Sequence, residues 1–446
     1  MKMNRLIIIL GFALLSISAM HVKAQDTWTL EECIQYALEH NIEIKRRNIS
    51  AEQAENNHQQ SKFELFPDLN GNASHSFRSG KNFNYDVLDY VNQDYQYGQF
   101  GLHSNLNIFN GLETQNRIKQ EKYNMLSQLE SIKEARYDVT MNIVTYYLNV
   151  LANIEQKQIK EEQLQVTLDQ IEKTQQEVEV GNKAKGDLLE IEAQAARERV
   201  ELTQAKNDLR MAYLDLTQLM NLDSADKFQV YIPEEESLQP DASVKSADII
   251  YKESVKQFPT IKNAEFQVKS SEKNLAIMKG RRYPSLDFDI QVGSYYNELR
   301  KEQLNLGYDK QMEENLSMIM QLSLNIPIFN NRLVSNQIQN ARLSLEDSRF
   351  QLQENKQNLF KNIQRARNEA IAAYEDYQAN REAVESSQEA FNYARERYDV
   401  GLVDIVEYKV AKKDLTEAKL NAAQAKYNYF FRIKILEFYM GKELQI

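Results

Sequence analysis

Residues 112–180 read LETQNRIKQEKYNMLSQLESIKEARYDVTMNIVTYYLNVLANIEQKQIKEEQLQVTLDQIEKTQQEVEV, without a glycine or a proline. Residues 331–400, from Asn331 to Val400, are equally free of both. Each run ends in Val-Gly, at Val180-Gly181 and at Val400-Gly401. Each starts just after a short apolar segment, Asn107-Ile108-Phe109-Asn110 or Pro327-Ile328-Phe329-Asn330. Phe109 to Phe329 and Gly181 to Gly401 are both steps of 220 residues, so the chain is internally duplicated. A helix of about 70 residues, at about 1.5 Å each, is about 100 Å long. Ordinary globular helices have three or four turns.

Upstream of the first run, Met1-Lys2-Met3-Asn4-Arg5 precedes an apolar stretch from Leu6 to Met20 and a small residue at Ala24. This is the pattern of a secretory leader, and cleavage is expected after Ala24. The alternative, an uncleaved anchor, needs a longer apolar run. No cysteine lies near the cleavage point to carry a lipid. Removing Lys2, Arg5 and Lys23 takes the formal charge from −11 to −14. So acidic a chain is not expected to bind nucleic acid. Cys33, the single cysteine, sits among Leu30, Ile34 and Ala37 and reads as a packed apolar residue.

In the mature chain, Thr29-Leu30-Glu31-Glu32 has the form of a helix start. The helix is expected to run to about Phe63, with Pro67 closing it. The period then changes to two. Leu69, Ala73 and Phe77 share one face, with Asp68, Asn70 and Asn72 on the other. Arg78 to Asp94 is polar and tyrosine-rich and reads as a loop. Phe100, Leu102, Leu106 and Ile108 then alternate with Gln99, His103, Asn105 and Asn107. After the long helix and a short turn, a second helix is predicted from about Asp187 to Leu219. Asn221 to Ala247 is irregular and carries the acid run Glu234-Glu235-Glu236. The second half repeats this plan. A helix covers about Ala247 to Gly280, with a break at Pro259; two alternating segments follow, at Leu286–Val292 and Met318–Ile328. The last helix spans about Asp404 to Met440. The domain reading is a leader at 1–24, a first repeat at 25–230, a linker at 231–246 and a second repeat at 247–446.

Four amphipathic strands of about ten residues suit a tilted crossing of a bilayer. A soluble sheet packed on a core is the alternative, but no other strands or broad apolar helix faces are available to cover it. Four strands cannot close a barrel, and an open edge in lipid leaves backbone groups unpaired. Three chains would supply twelve strands; two would supply eight, too few for a water channel. In each half, the shorter helices flanking the long one add up to about its length. Stacked end to end beside it, they would give twelve helical columns per trimer. The fold class expected is therefore mainly α, with long antiparallel coiled coils and four strands per chain. A trimer would form a 12-stranded membrane β-barrel continuing into an α-helical periplasmic tunnel, with narrow apolar seams packing the helices.

Trp28-Thr29-Leu30-Glu31-Glu32-Cys33-Ile34-Gln35-Tyr36-Ala37-Leu38, Phe66-Pro67-Asp68-Leu69, Tyr283-Pro284-Ser285-Leu286, Ile326-Pro327-Ile328-Phe329-Asn330 and Tyr398-Asp399-Val400-Gly401-Leu402 occur in this order, on these elements. With them the chain resembles the TolC family of outer-membrane efflux proteins over nearly all of its mature length. The resemblance implies a homotrimeric exit duct in the bacterial outer membrane, with a long periplasmic extension, docked to a periplasmic adaptor and an inner-membrane pump. It implies adaptor contacts at Val180, Gly181, Val400, Gly401 and Leu402. Independently, a tight turn between helices favours a left-handed residue, which glycine adopts at little cost. The resemblance also implies a periplasmic gate of Asp187, Tyr398 and Glu407, with an Asp187–Tyr398 hydrogen bond when closed. The plainer readings are a helix N-cap for Asp187 and a solvated face for Glu407. Val403 and Val410 depart from the family pattern, where some members have an arginine and an acid; a weaker gate is expected.

No P-loop, nucleophile elbow or dinucleotide fingerprint is present, so neither an enzyme nor a cofactor is expected. His21, His40, His58, His75 and His103 have no metal-binding spacing, and His103 reads as a solvated lumen residue. The function expected is passive conduction of small molecules. The alternatives are the outer duct of type I protein secretion and a soluble periplasmic coiled-coil scaffold.

Overall fold

A computed structural model describes residues 27–84, 88–92, 94–222, 228–233, 245–298 and 306–441. The expected leader and the Glu234-Glu235-Glu236 run lie outside the described residues. The elements, in chain order, are α1 (Leu30–His40), α2 (Ile42–Phe63), β1 (Asn70–Arg78), β2 (Lys81–Asn84), β3 (Asp89–Asn92) and β4 (Tyr95–Phe109). Then come α3 (Glu113–Glu179), α4 (Lys185–Met220), α5 (Ala247–Ser254) and α6 (Pro259–Gly280). The chain finishes with β5 (Ser285–Asn297), α7 (Tyr308–Glu314), β6 (Ser317–Asn325), α8 (Leu333–Asp399) and α9 (Ile405–Tyr439).

The long helices α3 and α8 have 67 residues each. They begin and end 220 residues apart, as the repeat requires. The strand-to-helix turns ahead of them also repeat. Gly111 and Leu112 have φ of 67° and 66°; Asn331 and Arg332 have 50° and 64°. Three of those four residues are not glycine, so the left-handed pair is held at some cost in backbone strain.

The chain forms two compact units, each taking segments from both halves: 1–46, 134–256 and 358–446 in one, 47–133 and 257–357 in the other. The first unit is helical. Its core gathers Leu30, Cys33, Ile143, Tyr147, Leu151, Leu216 and Met220 from three helices. The Tyr147 hydroxyl lies 2.8 Å from the Tyr231 carbonyl oxygen and 3.1 Å from that of Trp28, so its proton is satisfied inside the core. The start of α1 is a capping box: the Thr29 hydroxyl accepts from Glu32 N–H and the Glu32 carboxylate from Thr29 N–H. The sequence predicts a single helix to Phe63, but Asn41 breaks it with an extended backbone. Its amide donates to Leu219 O at 3.0 Å and its carbonyl accepts from Glu43 N–H at 2.9 Å. Tertiary bonds thus hold a cap inside a run of good helix formers. The second half breaks at the matching place, where Pro259 opens α6 as predicted.

The second unit holds the sheet, ordered β1-β4-β5-β6 and antiparallel throughout. Helix seams here are narrow and made of small residues. On α2, beyond Ile44, the buried positions are Ala51, Ala54, His58 and Ser61, spaced by three and four. At the foot of the sheet, Gly111 and Gly280 touch backbone to backbone. A Cβ on Gly111 would lie 2.2 Å from Gly280 O, and one on Gly280 2.6 Å from Gly111 O. Two regions that read as loops contain structure: the β2–β3 hairpin, with Phe83 and Tyr90 rings edge to face at 5.3 Å, and the short helix α7. Elements of four and seven residues are too short to show a period.

Candidate functional site

The sheet has two unlike faces. Register pairs Leu102 with Val292, Leu106 with Phe288, and Leu286, Phe288, Ile290 and Val292 with Leu324, Leu322, Met320 and Met318. These residues make one apolar face, which Ala73 on β1 and Leu69 just before it extend. Much of it is open: Leu69 is 73 % exposed, and Leu322 63 %. The opposite face is polar. Asn105 donates to Asp289 at 2.8 Å, Asn107 donates to Asp287 at 2.6 Å, and the Asp68 carboxylate accepts from Asn105 N–H at 2.6 Å. His103 lies on this polar face, 3.9 Å from Asp289. β4 and β5, at 15 and 13 residues, are longer than the ten expected. Their extra length is at the tyrosine-rich ends, where Tyr97 and Tyr295 stack at 6.1 Å. Among the described residues, β1 and β6 have no partner on their outer edges. No helix among them is long and apolar enough to cross a membrane.

The helical turns after α3 and α8 are built alike. Gly181 N–H bonds Val178 O and Asn182 N–H bonds Glu177 O; Gly401 N–H bonds Tyr398 O and Leu402 N–H bonds Arg397 O. This paired pattern needs a left-handed residue, and the two glycines have φ of 80° and 73°. Val180, Val400 and Leu402 are about 70 % exposed, an apolar display at both tips.

Asp187 stands in the first turn of α4, three residues after the N-cap, which is Ala184; the N-cap reading of Asp187 is thereby corrected. The N-cap of α9 is Asp404, which accepts from Val406 N–H and Glu407 N–H. Glu407 pairs with Arg397 at 2.8 Å. Tyr398 is buried in an apolar cluster with Ile191, Phe391 and Tyr408, and its ring stacks on that of Tyr408 at 5.2 Å. No hydrogen bond joins Asp187 to the Tyr398 hydroxyl in the structure. Instead Lys183 places its ammonium 3.7 Å from the centre of the Tyr398 ring and 2.9 Å from the Glu177 carboxylate. Burial disfavours that charge, but Glu177 and Tyr398 outweigh it and the Lys183 pKa is raised. Val403 packs against the same cluster, while Val410 is exposed.

Sequence reading misses Lys183 and a buried ion pair between Lys412 of α9 and Glu198 of α4. Both residues are ordinary members of charged helices by composition. The only signal is that neither charge of the buried pair repeats at the 220-residue offset, where Glu192 and Ala418 stand. Among the described residues no group of three or more metal-ligating side chains is found.

The model of the outer membrane efflux protein family matches residues 33–222 and 250–441. The chain is 20 % identical over 335 residues to the outer membrane efflux protein BepC of Brucella suis, covering 74 % of this chain and 69 % of the relative. It is 23 % identical over 346 residues to the outer membrane protein TolC of Escherichia coli, covering 74 % and 68 %. It superposes on the CmeC outer membrane channel of Campylobacter jejuni with a TM-score of 0.78, at 18 % identity, over 93 % of this chain and 86 % of that one. The fold is that of TolC-like channels. With both halves matched, the chain belongs to the outer membrane efflux protein family and is an efflux exit duct of the outer membrane.

Proposed function

We propose that three copies of the chain close one barrel, with β1 of each protomer pairing with β6 of the next. The observation that carries this is a sheet whose two edges have no partner among the described residues and whose apolar face is exposed. In lipid each unpaired backbone group costs several kcal/mol, so neither edge can stay open. The apolar face meets lipid, and the Asp, Asn and His side chains line water. The repeats at 25–230 and 247–446, joined by 231–246, each contribute two strands and one long helix to this wall. The helices form the periplasmic tunnel. Their tips, through Val180, Gly181, Val400, Gly401 and Leu402, meet a periplasmic adaptor, which couples the duct to an inner-membrane pump. The chain offers a passive path, and its partners supply the energy.

Asp187, Tyr398 and Glu407 make up the gate at the tips. The support is their placement within one or two turns of the two glycines, and the burial of Tyr398 between the two tips. Single-channel conductance of the full chain in planar bilayers tests this reading. Asp187→Ala and Tyr398→Phe are expected to raise conductance severalfold. Unchanged conductance in both variants would remove Asp187 and Tyr398 from the gate.

A further inference from the structure

Lys412 and Glu198 have 7 % and 1 % of their side chains exposed. They belong to different hairpins, one formed by α3 and α4 and the other by α8 and α9. The ammonium donates to Glu198 at 3.0 Å and to the Gln163 carbonyl oxygen at 2.7 Å. Gln163 and Gln194 donate their side-chain amides to the same carboxylate at 3.2 and 3.0 Å. The Thr167 hydroxyl bonds both charged groups. Burial lowers the Lys412 pKa against the pull of Glu198. Separating this pair would strand a charge in a buried position, away from bulk solvent.

Nearer the tips the ties between the hairpins are of another kind. Lys409 meets Glu190 at 3.3 Å and Lys173 meets Asp399 at 2.8 Å, with one partner of each pair about half exposed. Such pairs exchange for water at little cost. Along the helices Glu198 is 17 residues from Gly181 and Lys412 is 11 residues from Gly401. At about 1.5 Å per residue that is about 25 and 16 Å from the tips.

We propose that Lys412 and Glu198 are a fulcrum: the two hairpins of a protomer part on the tip side of this pair and stay together above it. They are positioning residues for the gate, and the proposal rests on the reading of the tips as a gate. Neither charge is repeated at the 220-residue offset, so the duplication does not supply a second copy of this pair.

The test uses spin-label distances on the full chain in lipid nanodiscs, in a Cys33→Ala background, diluted with unlabelled chain so that distances within one protomer are read. One label pair, at Leu189 and Val406, lies below the fulcrum, and another, at Val200 and Glu417, lies above it. Removing the tip ties with Lys173→Ala and Lys409→Ala is expected to lengthen the lower distance and leave the upper one unchanged. Adding Lys412→Met should lengthen the upper distance as well. Glu198→Gln with Lys412→Gln, which buries no charge, replaces it should the single variant not assemble, with the same expected lengthening. An upper distance that grows with the pair intact overturns the fulcrum. So does an upper distance that stays fixed when the pair is removed, even if thermal stability falls. Separation at neither position removes the gate reading itself, and the fulcrum with it.

Discussion

Cys33 shows what burial does at one residue. It has no exposed surface, and burial, reinforced by the Glu32 and Glu31 carboxylates, pushes its thiol up to about 12. A thiol so protected is a poor nucleophile. Maleimide is expected to leave the native protein unlabelled for hours and to label Cys33 at once in denaturant. Rapid native labelling would contradict the apolar role read from its neighbours. His58 is buried on α2, and burial, followed by the Lys62 charge, outweighs a bond to the Ile118 backbone and lowers its pKa. The unfolded chain then binds a proton that the folded chain refuses. The stability this residue contributes is full above about pH 6.5, the ordinary histidine value, and is lost as pH falls from there through the lowered folded pKa. The thermal midpoint should therefore drop between pH 7 and 5, and His58→Gln should flatten that drop. At this scale the sequence is legible where chemistry is local, as at the Thr29–Glu32 cap. It is silent where partners are distant, as for Lys183 on Tyr398 or Lys412 with Glu198.

Among elements, α3 and α8 can be bounded from the sequence to within three residues, because nothing in either run breaks a helix and a glycine follows each end. The break at Asn41 is hidden, because it depends on a bond to Leu219 O on another helix. The strands are legible through their period, and their register allows a paired test. Leu322 and Ser323 are neighbours on β6 and face opposite ways. Leu322→Arg should destabilise the assembled barrel by about 2–4 kcal/mol, the cost of a cation at mid-membrane depth. Ser323→Arg, toward the lumen, should leave stability nearly unchanged and alter ion selectivity. Equal losses in a heat-modifiability assay would contradict the assigned faces. The contact of Gly111 with Gly280 makes a second case. Gly280→Ala forces backbone apart and should cost about 1–3 kcal/mol, in the range of overpacking. Gly186→Ala, where a Cβ meets nothing within 4 Å, should not.

For the whole molecule, the decisive feature is that half of the sheet comes from each repeat and, among the described residues, both outer edges are left open. The duplication and the strand count make this legible in the amino-acid pattern alone, since four strands that enter lipid must find others. The proposed gate is less legible, because its residues sit on helices packed side by side and the family pattern is broken at Val403 and Val410. The most direct measurement is the mass of the particle extracted from outer membranes in mild detergent, corrected for bound detergent. A mass of three chains is expected. A single chain, soluble without detergent, would leave the apolar face of the sheet without a partner and contradict the shared barrel.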